Sequence, residues 1–288
     1  MAAAVLATGD RLYAFFDGPG LPPTATEGLL QDIGRVLQPV AYYRPQLDLI
    51  PLLSFASWSR DKVAKLDVQT LVYDLQDKDE AKALSRDLNH VRETSNLPPL
   101  SLTPLAAEVS AHEPPEREPV PADDRPLSFA HVAVGGTFDR LHVGHRLLLA
   151  ATALICTEKV YIGVTGDQLL QKKAHKELLE SYETRAHAAE IYVKAVRPGL
   201  TVQTGALLDP KAPTVAATDE SMQALVVSKE TVPGAQEINR YRKNVGFAEL
   251  QIVVVDLIAD TQAVQGGKVS STALREQEAA RQQGHTAA

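Results

Sequence analysis

Between positions 131 and 145 the chain reads HVAVGGTFDRLHVGH, a stretch rich in groups suited to holding phosphate. His142 and His145 can donate to phosphoryl oxygens. Gly135 and Gly136 carry no Cβ, so the backbone can turn sharply and come close to a ligand. Thr137 and Asp139 add a hydroxyl and a carboxylate. Gly144 and His145 open a helix, and a helix start presents unpaired N–H groups and a partial positive charge. A second set lies in GGKVSSTALR, residues 266–275, where Ser270, Ser271 and Thr272 stand at another helix start, flanked by Lys268 and Arg275. Hydroxyls there either cap the helix or grip phosphate oxygens. The run VVSKETVPGAQEINRYRK, residues 226–243, gathers Lys229, Arg240, Arg242 and Lys243 in an otherwise acidic chain, with Asn239 placed to bond a ligand. Solvated helix charge is the competing account of that run. In QKKAHKELLESYETR, residues 171–185, Lys172, Lys173 and Lys176 follow a strand and precede a helix, where one of them can meet an anionic substrate.

The elements that must position these groups alternate. Strands are expected at 130–135, 159–165, 201–206, 224–228 and 250–256. Helices are expected from about 144 to 156, at 166–171, 182–196 and 234–245, and from near Ser270 to about 282. Such alternation predicts a doubly wound, Rossmann-like parallel sheet covered on both faces. Ligands bind such sheets off the strand carboxyl ends, where the turn at 135, the loop after Thr165 and the loop after Ser228 all fall. Upstream, strands at 11–16 and 70–75 and helices at 27–37 and 81–92 predict a smaller α/β or α+β domain over 1–106. No internal repeat is evident. Residues 113–126, EPPEREPVPADDRP, hold five prolines and five acids. Proline fixes φ and the acids repel one another, which marks 107–126 as a linker. The main domain then covers 127–283, with a tail at 284–288.

Composition narrows the function. The chain has 288 residues, is 44% hydrophobic and carries a formal charge of −7, which favours neither nucleic acid nor disorder. The one cysteine, Cys156, excludes an internal disulfide and a cysteine-rich zinc site, and its apolar neighbours make it buried filler. No apolar run reaches the roughly 20 residues of a membrane span, and the start lacks a secretory pattern; a cytoplasmic protein is expected. There is neither a dinucleotide fingerprint nor a kinase-type phosphate loop.

GGTFDRLHVGH at 135–145 resembles the G-T-F-D…H-x-G-H signature of the nucleotidyltransferase superfamily, and KVSSTALR at 268–275 resembles its second signature. VVSKETVPGAQEINRYR at 226–242, with LLESYETR at 178–185 and LLDP at 207–210, is similar to eukaryotic and archaeal phosphopantetheine adenylyltransferases, as in the adenylyltransferase domain of bifunctional coenzyme A synthase. The resemblance covers roughly 128–280 and implies transfer of an adenylyl group from ATP to 4′-phosphopantetheine, giving dephospho-coenzyme A and diphosphate by direct in-line attack. It implies catalytic roles for His142, His145 and Lys173, with His145 donating to the α-phosphoryl group. Thr137 is implied to bind the acceptor phosphate or ATP near the point of attack, and Lys173 or Lys172 to neutralise that phosphate. Arg242 with Arg240, and Ser270, Ser271 and Thr272, are implied to hold the β- and γ-phosphates. Gly135, Gly136, Phe138, Asp139, Ser228 and Asn239 carry over as further substrate-binding positions. Mg²⁺ is implied as the ATP counter-ion, a separate dephospho-coenzyme A kinase as the next enzyme, and a homo-oligomer is left open. The competing expectations are a cytidylyltransferase, a nicotinamide mononucleotide adenylyltransferase, or a non-catalytic nucleotide-binding module. For residues 1–106 the expectation is a docking or regulatory role.

Overall fold

Strands rich in β-branched and aromatic residues build two sheets in the computed structural model, which describes residues 3–8, 11–17, 21–34, 47–73, 77–104, 125–255 and 270–286. The first holds β1 (Ala3–Thr8), β2 (Arg11–Phe16), β3 (Asp48–Leu53), β4 (Thr70–Tyr73) and β5 (Ser101–Pro104). Its helices are α1 (27–34), α2 (Arg60–Ala64) and α3 (Lys78–Thr94). The second holds β6 (Phe129–Gly136), β7 (Cys156–Thr165), β8 (Thr201–Leu207), β9 (Ala224–Ser228) and β10 (Gln251–Val255). Its helices are α4 (Val143–Ile155), α5 (Tyr182–Val196), α6 (Val215–Thr218), α7 (Val232–Asn244) and α8 (Ser271–Thr286). The expected helix at 166–171 is a 3-10 turn, Asp167–Leu170. Most of the expected linker, Lys268 and the adjoining glycines lie outside the described residues.

All neighbours in the second sheet are parallel, in the order β8-β7-β6-β9-β10. The chain runs outward from β6 to β8, then crosses back to β9, so the switch point lies between the carboxyl ends of β6 and β9. Side-chain alternation puts Val132, Val134 and Val226 into one core and Ala133, Leu225 and Val227 into another. Both faces are therefore covered, as nearly continuous apolar strands require.

The first sheet repeats that order, β3-β2-β1-β4-β5. Here β2 and β3 are parallel, as are β4 and β5, while β1 runs antiparallel to both β2 and β4. An internal correspondence is thus present in the fold. The two sheets share a core that includes Ile50, Leu52, Leu147 and Tyr192. Trp58 donates from its indole to the Val196 carbonyl at 3.0 Å, and buried Tyr192 donates to the Leu49 carbonyl at 2.7 Å. Every residue of α4 except His145 is buried. A helix apolar on all sides is one covered on all sides, and α4 packs on its own sheet and on β3. Among the described residues no helix is long and apolar enough to cross a membrane.

Candidate nucleotide site

His142 ends the loop after β6 and caps α4: its Nδ1 accepts the Gly144 N–H at 3.1 Å. That bond fixes the neutral tautomer, because a ring nitrogen that accepts leaves the proton on the other. The ring of His145 stacks on that of His142 with centroids 4.0 Å apart. Burial, then His142, then Arg146 hold the His145 pKa well below the ordinary value of 6.5, so this imidazole is neutral near pH 7. Its Nδ1 is buried without a hydrogen-bond partner among the described residues, which leaves Nε2 as the atom able to meet a ligand. Phe138, fully buried, packs its ring 5.4 Å from that of His145 and lies over Gly136. A Cβ on Gly136 would meet the Phe138 ring at 3.0–3.2 Å, so any side chain there must push that ring back by a few tenths of an ångström.

Around these rings three segments are tied together by residues whose sequence context pointed elsewhere. Asp139 is fully buried; one oxygen accepts from the Glu180 N–H at 3.1 Å and the other pairs with the Arg275 guanidinium. Expected as a ligand-binding carboxylate, it is instead spent on holding the fold, since an unpaired buried carboxylate would be costly. Arg275 also donates to the Ala174 carbonyl at 3.1 Å and the Thr272 hydroxyl at 3.2 Å. Ser271 donates to the Asp139 carbonyl at 2.8 Å, and Ser270 caps α8 by accepting the Ala273 N–H at 3.2 Å. Arg140 donates to the Leu178 carbonyl at 2.7 Å and pairs with Glu278. The start of α8, the loop at 137–142 and the loop at 166–181 thus form one rim. Phe138, Arg140 and His175 adopt positive φ there, at 54°, 50° and 52°, a conformation that costs non-glycine residues energy and clusters at functional sites.

Arg185 is the organiser that residue-by-residue reading missed. It has no exposed surface and donates to the Glu180, Thr137 and Thr165 carbonyls at 3.0, 2.6 and 2.8 Å, and to Asp167 at 2.6 Å. It therefore joins the carboxyl ends of β6 and β7. The signal was the motif LLESYETR, whose arginine stands one turn inside a helix beginning at the rim.

The remaining expected residues separate. Gly135, Gly136 and half-buried Thr137 lie at the carboxyl end of β6. Ser228 ends the adjacent β9, buried, its N–H bonded to the Thr231 hydroxyl at 3.1 Å. Lys172 and Lys173 are exposed in the turn before Ala174, the residue Arg275 grips. Cys156 is buried and burial pushes its thiol pKa up, which fits filler.

Arg242 has another job altogether. It is fully buried and donates from Nε to the Ala248 carbonyl, from Nη1 to the Ala216 and Asp219 carbonyls, and from Nη2 to the Glu220 and Met222 carbonyls. A guanidinium has five N–H donors, so none is left for a phosphate. Asn239 is likewise committed, exchanging two bonds with the Leu250 backbone at 3.0 and 2.8 Å. Arg240 faces solvent and pairs with Glu237 on the same helix. The first sheet contains the same clamp. Asn89 exchanges two bonds with the Leu100 backbone, and Arg92 donates to the Pro98, Ala64, Leu66 and Val68 carbonyls. In both sheets an Asn-x-x-Arg pair at the end of a helix anchors the strand that follows.

Residues 133–277 match the cytidylyltransferase-like family. An uncharacterised protein of Schizosaccharomyces pombe is 39% identical over 150 residues, 50% of this chain and 47% of its own length. A phosphopantetheine adenylyltransferase of Saccharomyces cerevisiae is 37% identical over 51% of this chain and 48% of its own. The phosphopantetheine adenylyltransferase of Methanothermobacter thermautotrophicus is 43% identical over 51% of this chain and 84% of its own. The chain spans about half the length of the two fungal relatives. The matched residues begin in β6, end in α8 and enclose the whole rim, and the chain belongs to the cytidylyltransferase-like family.

Proposed function

We propose that the chain transfers the adenylyl group of ATP to 4′-phosphopantetheine, giving dephospho-coenzyme A and diphosphate. The observation that carries this reading is the stacked His142–His145 pair on the first turn of α4, set at the carboxyl end of β6 beside the switch point with β9. The likeness to proteins named phosphopantetheine adenylyltransferase selects the acceptor. An oxygen of the acceptor phosphate attacks the α-phosphorus, and the bond from that phosphorus to the bridging oxygen breaks. Diphosphate leaves with the electron pair, and no covalent bond to the protein forms. What the protein must supply is placement and donors to the charge at the transferring phosphorus. Neutral His145 donates to the α-phosphoryl oxygens, His142 to the departing phosphates, and Lys172 or Lys173 meets the acceptor phosphate. The hydroxyls of Ser270 and Thr272, at the start of α8 on the same rim, are assigned to the β- and γ-phosphates.

Of the rim's carboxylates, Asp139 and Asp167 are engaged by Arg275 and Arg185, Glu180 accepts the Arg140 N–H at 2.7 Å, and Glu177 lies 3.5 Å from His175. The donor set that remains is imidazole, hydroxyl and ammonium, which suits phosphate oxygens and so a Mg²⁺ carried on ATP. Bound there, Mg²⁺ would neutralise phosphate charge. The product would serve a kinase that phosphorylates dephospho-coenzyme A. Diphosphate release by the full chain should require 4′-phosphopantetheine and should favour ATP over CTP. A preference for CTP would move the chain to the cytidylyltransferase reading, and ATP binding without turnover would mark a regulatory module.

A further inference from the structure

We infer that Asp48, on the first sheet, is a positioning residue for the His142–His145 turn of the second. The first turn of α4 is a weak piece of helix on its own. It contains Gly144, which costs conformational entropy in a helix, and its first closing bond runs from the Arg146 N–H to the His142 carbonyl at 3.0 Å. Arg146 therefore closes the turn on which both imidazoles ride. Its side chain is almost wholly buried, 7% exposed. One Nη donates to the Leu47 carbonyl at 2.9 Å and the other to Asp48 Oδ1 at 2.6 Å, while Nε is buried without a partner among the described residues.

Both side-chain hydrogen bonds of Arg146 thus end on the start of β3, a strand about a hundred residues earlier in the chain. A buried guanidinium needs those partners, so the turn sits where the first sheet puts it. Asp48 is itself steered by Arg11 on β2, 3.5 Å from its other oxygen. The Tyr192 bond to Leu49 and the Trp58 bond to Val196 join the first sheet's region to α5 as well. A region without an evident phosphate-holding motif of its own is in this way built into the support of the rings. Asp48 matters for turnover only if the adenylyl transfer proposed above is the reaction; it matters for ring placement regardless.

The test compares Asp48→Ala with Asp48→Asn in the full chain. Alanine removes the acceptor for Nη, while asparagine keeps an oxygen in the same place. Misplacing reacting groups by a fraction of an ångström to an ångström costs on the order of ten- to a hundredfold in rate. Asp48→Ala should lower kcat for diphosphate release about tenfold, leave the KM for ATP within about twofold, and move the imidazole NMR signals of both His142 and His145. Asp48→Asn should return kcat to within about twofold and the signals toward wild type. Asp48→Ser, also too short to reach Nη, replaces the alanine variant if that does not fold. Wild-type turnover in the alanine variant, or an asparagine variant as slow as the alanine one, overturns the inference. If the wild-type chain itself releases no diphosphate, the proposed reaction fails and the imidazole signals decide alone. Signals moved by alanine and restored by asparagine support the positioning role, and unmoved signals refute it.

Discussion

Arg242→Lys separates the two accounts of the INRYR run. The lysine keeps the positive charge but has three N–H donors where the guanidinium has five. The five carbonyls around Arg242 come from Ala216, Asp219, Glu220, Met222 and Ala248, and the side chain has no exposed surface. At least two of those carbonyls then lose their partner. At about 1–3 kcal/mol for each buried group left unsatisfied, the loss is about 2–6 kcal/mol. For a domain of this size each kcal/mol moves Tm by roughly 2–4 °C, which gives a fall of about 4–24 °C. ATP affinity should stay within about twofold. The assay is a thermal melt followed by monitored denaturation, alongside calorimetric ATP titration of the folded variant. A phosphate-holding Arg242 would give the opposite pattern: a Tm within about 2 °C of wild type and ATP binding weakened by about tenfold. That outcome would refute the structural reading of the clamp.

Three further outcomes follow from the same geometry. His145→Ala should reduce turnover by about 10²–10³, the scale of one lost donor to a developing oxyanion; a loss below about fivefold would remove His145 from its role. Because the folded chain holds the His145 pKa well below 6.5, the unfolded chain binds more protons from about pH 6.5 downward. Stability should therefore be intact above that value and fall as pH drops below it, and His145→Asn should remove that part of the dependence. Urea midpoints at several pH values for both chains would check it, and parallel curves would show the reasoning to be wrong. Asp139→Asn leaves Arg275 buried without its charge partner, which should cost about 3–5 kcal/mol. A denaturant midpoint unchanged from wild type would mean that the pair is not what fastens α8 to the rim.

The second sheet could be read almost entirely from sequence because its strands are short apolar runs and its helices are periodic; α5 falls on the expected residues, Tyr182–Val196. β1, β3, α2, β5 and α6 were not foreseen. β3 reads DLIPLL, with an internal proline that weakens a strand pattern, and α2 and α6 are five and four residues long. The histidine turn was visible because glycine, threonine and histidine types at close spacing act locally. For Arg242, Asn239 and Asp139 the sequence cannot separate a ligand from an internal partner, because a charged or amide side chain looks the same in either role; only burial and partners tell the two apart. One sign was present in LLLAATALI, residues 147–155. Its lack of a polar face means that α4 is covered on both sides. The shared strand order of the two sheets shows in the sequence only as the two Asn-x-x-Arg pairs, Asn89 with Arg92 and Asn239 with Arg242, a pattern too short to mark a repeat.

The most direct test of the central claim is to incubate the full chain with Mg-ATP and 4′-phosphopantetheine and weigh the nucleotide product. Adenylyl transfer predicts a species with the mass of dephospho-coenzyme A, formed one for one with diphosphate and absent when either substrate is left out. Unchanged 4′-phosphopantetheine beside intact ATP, from protein shown to be folded, would contradict it.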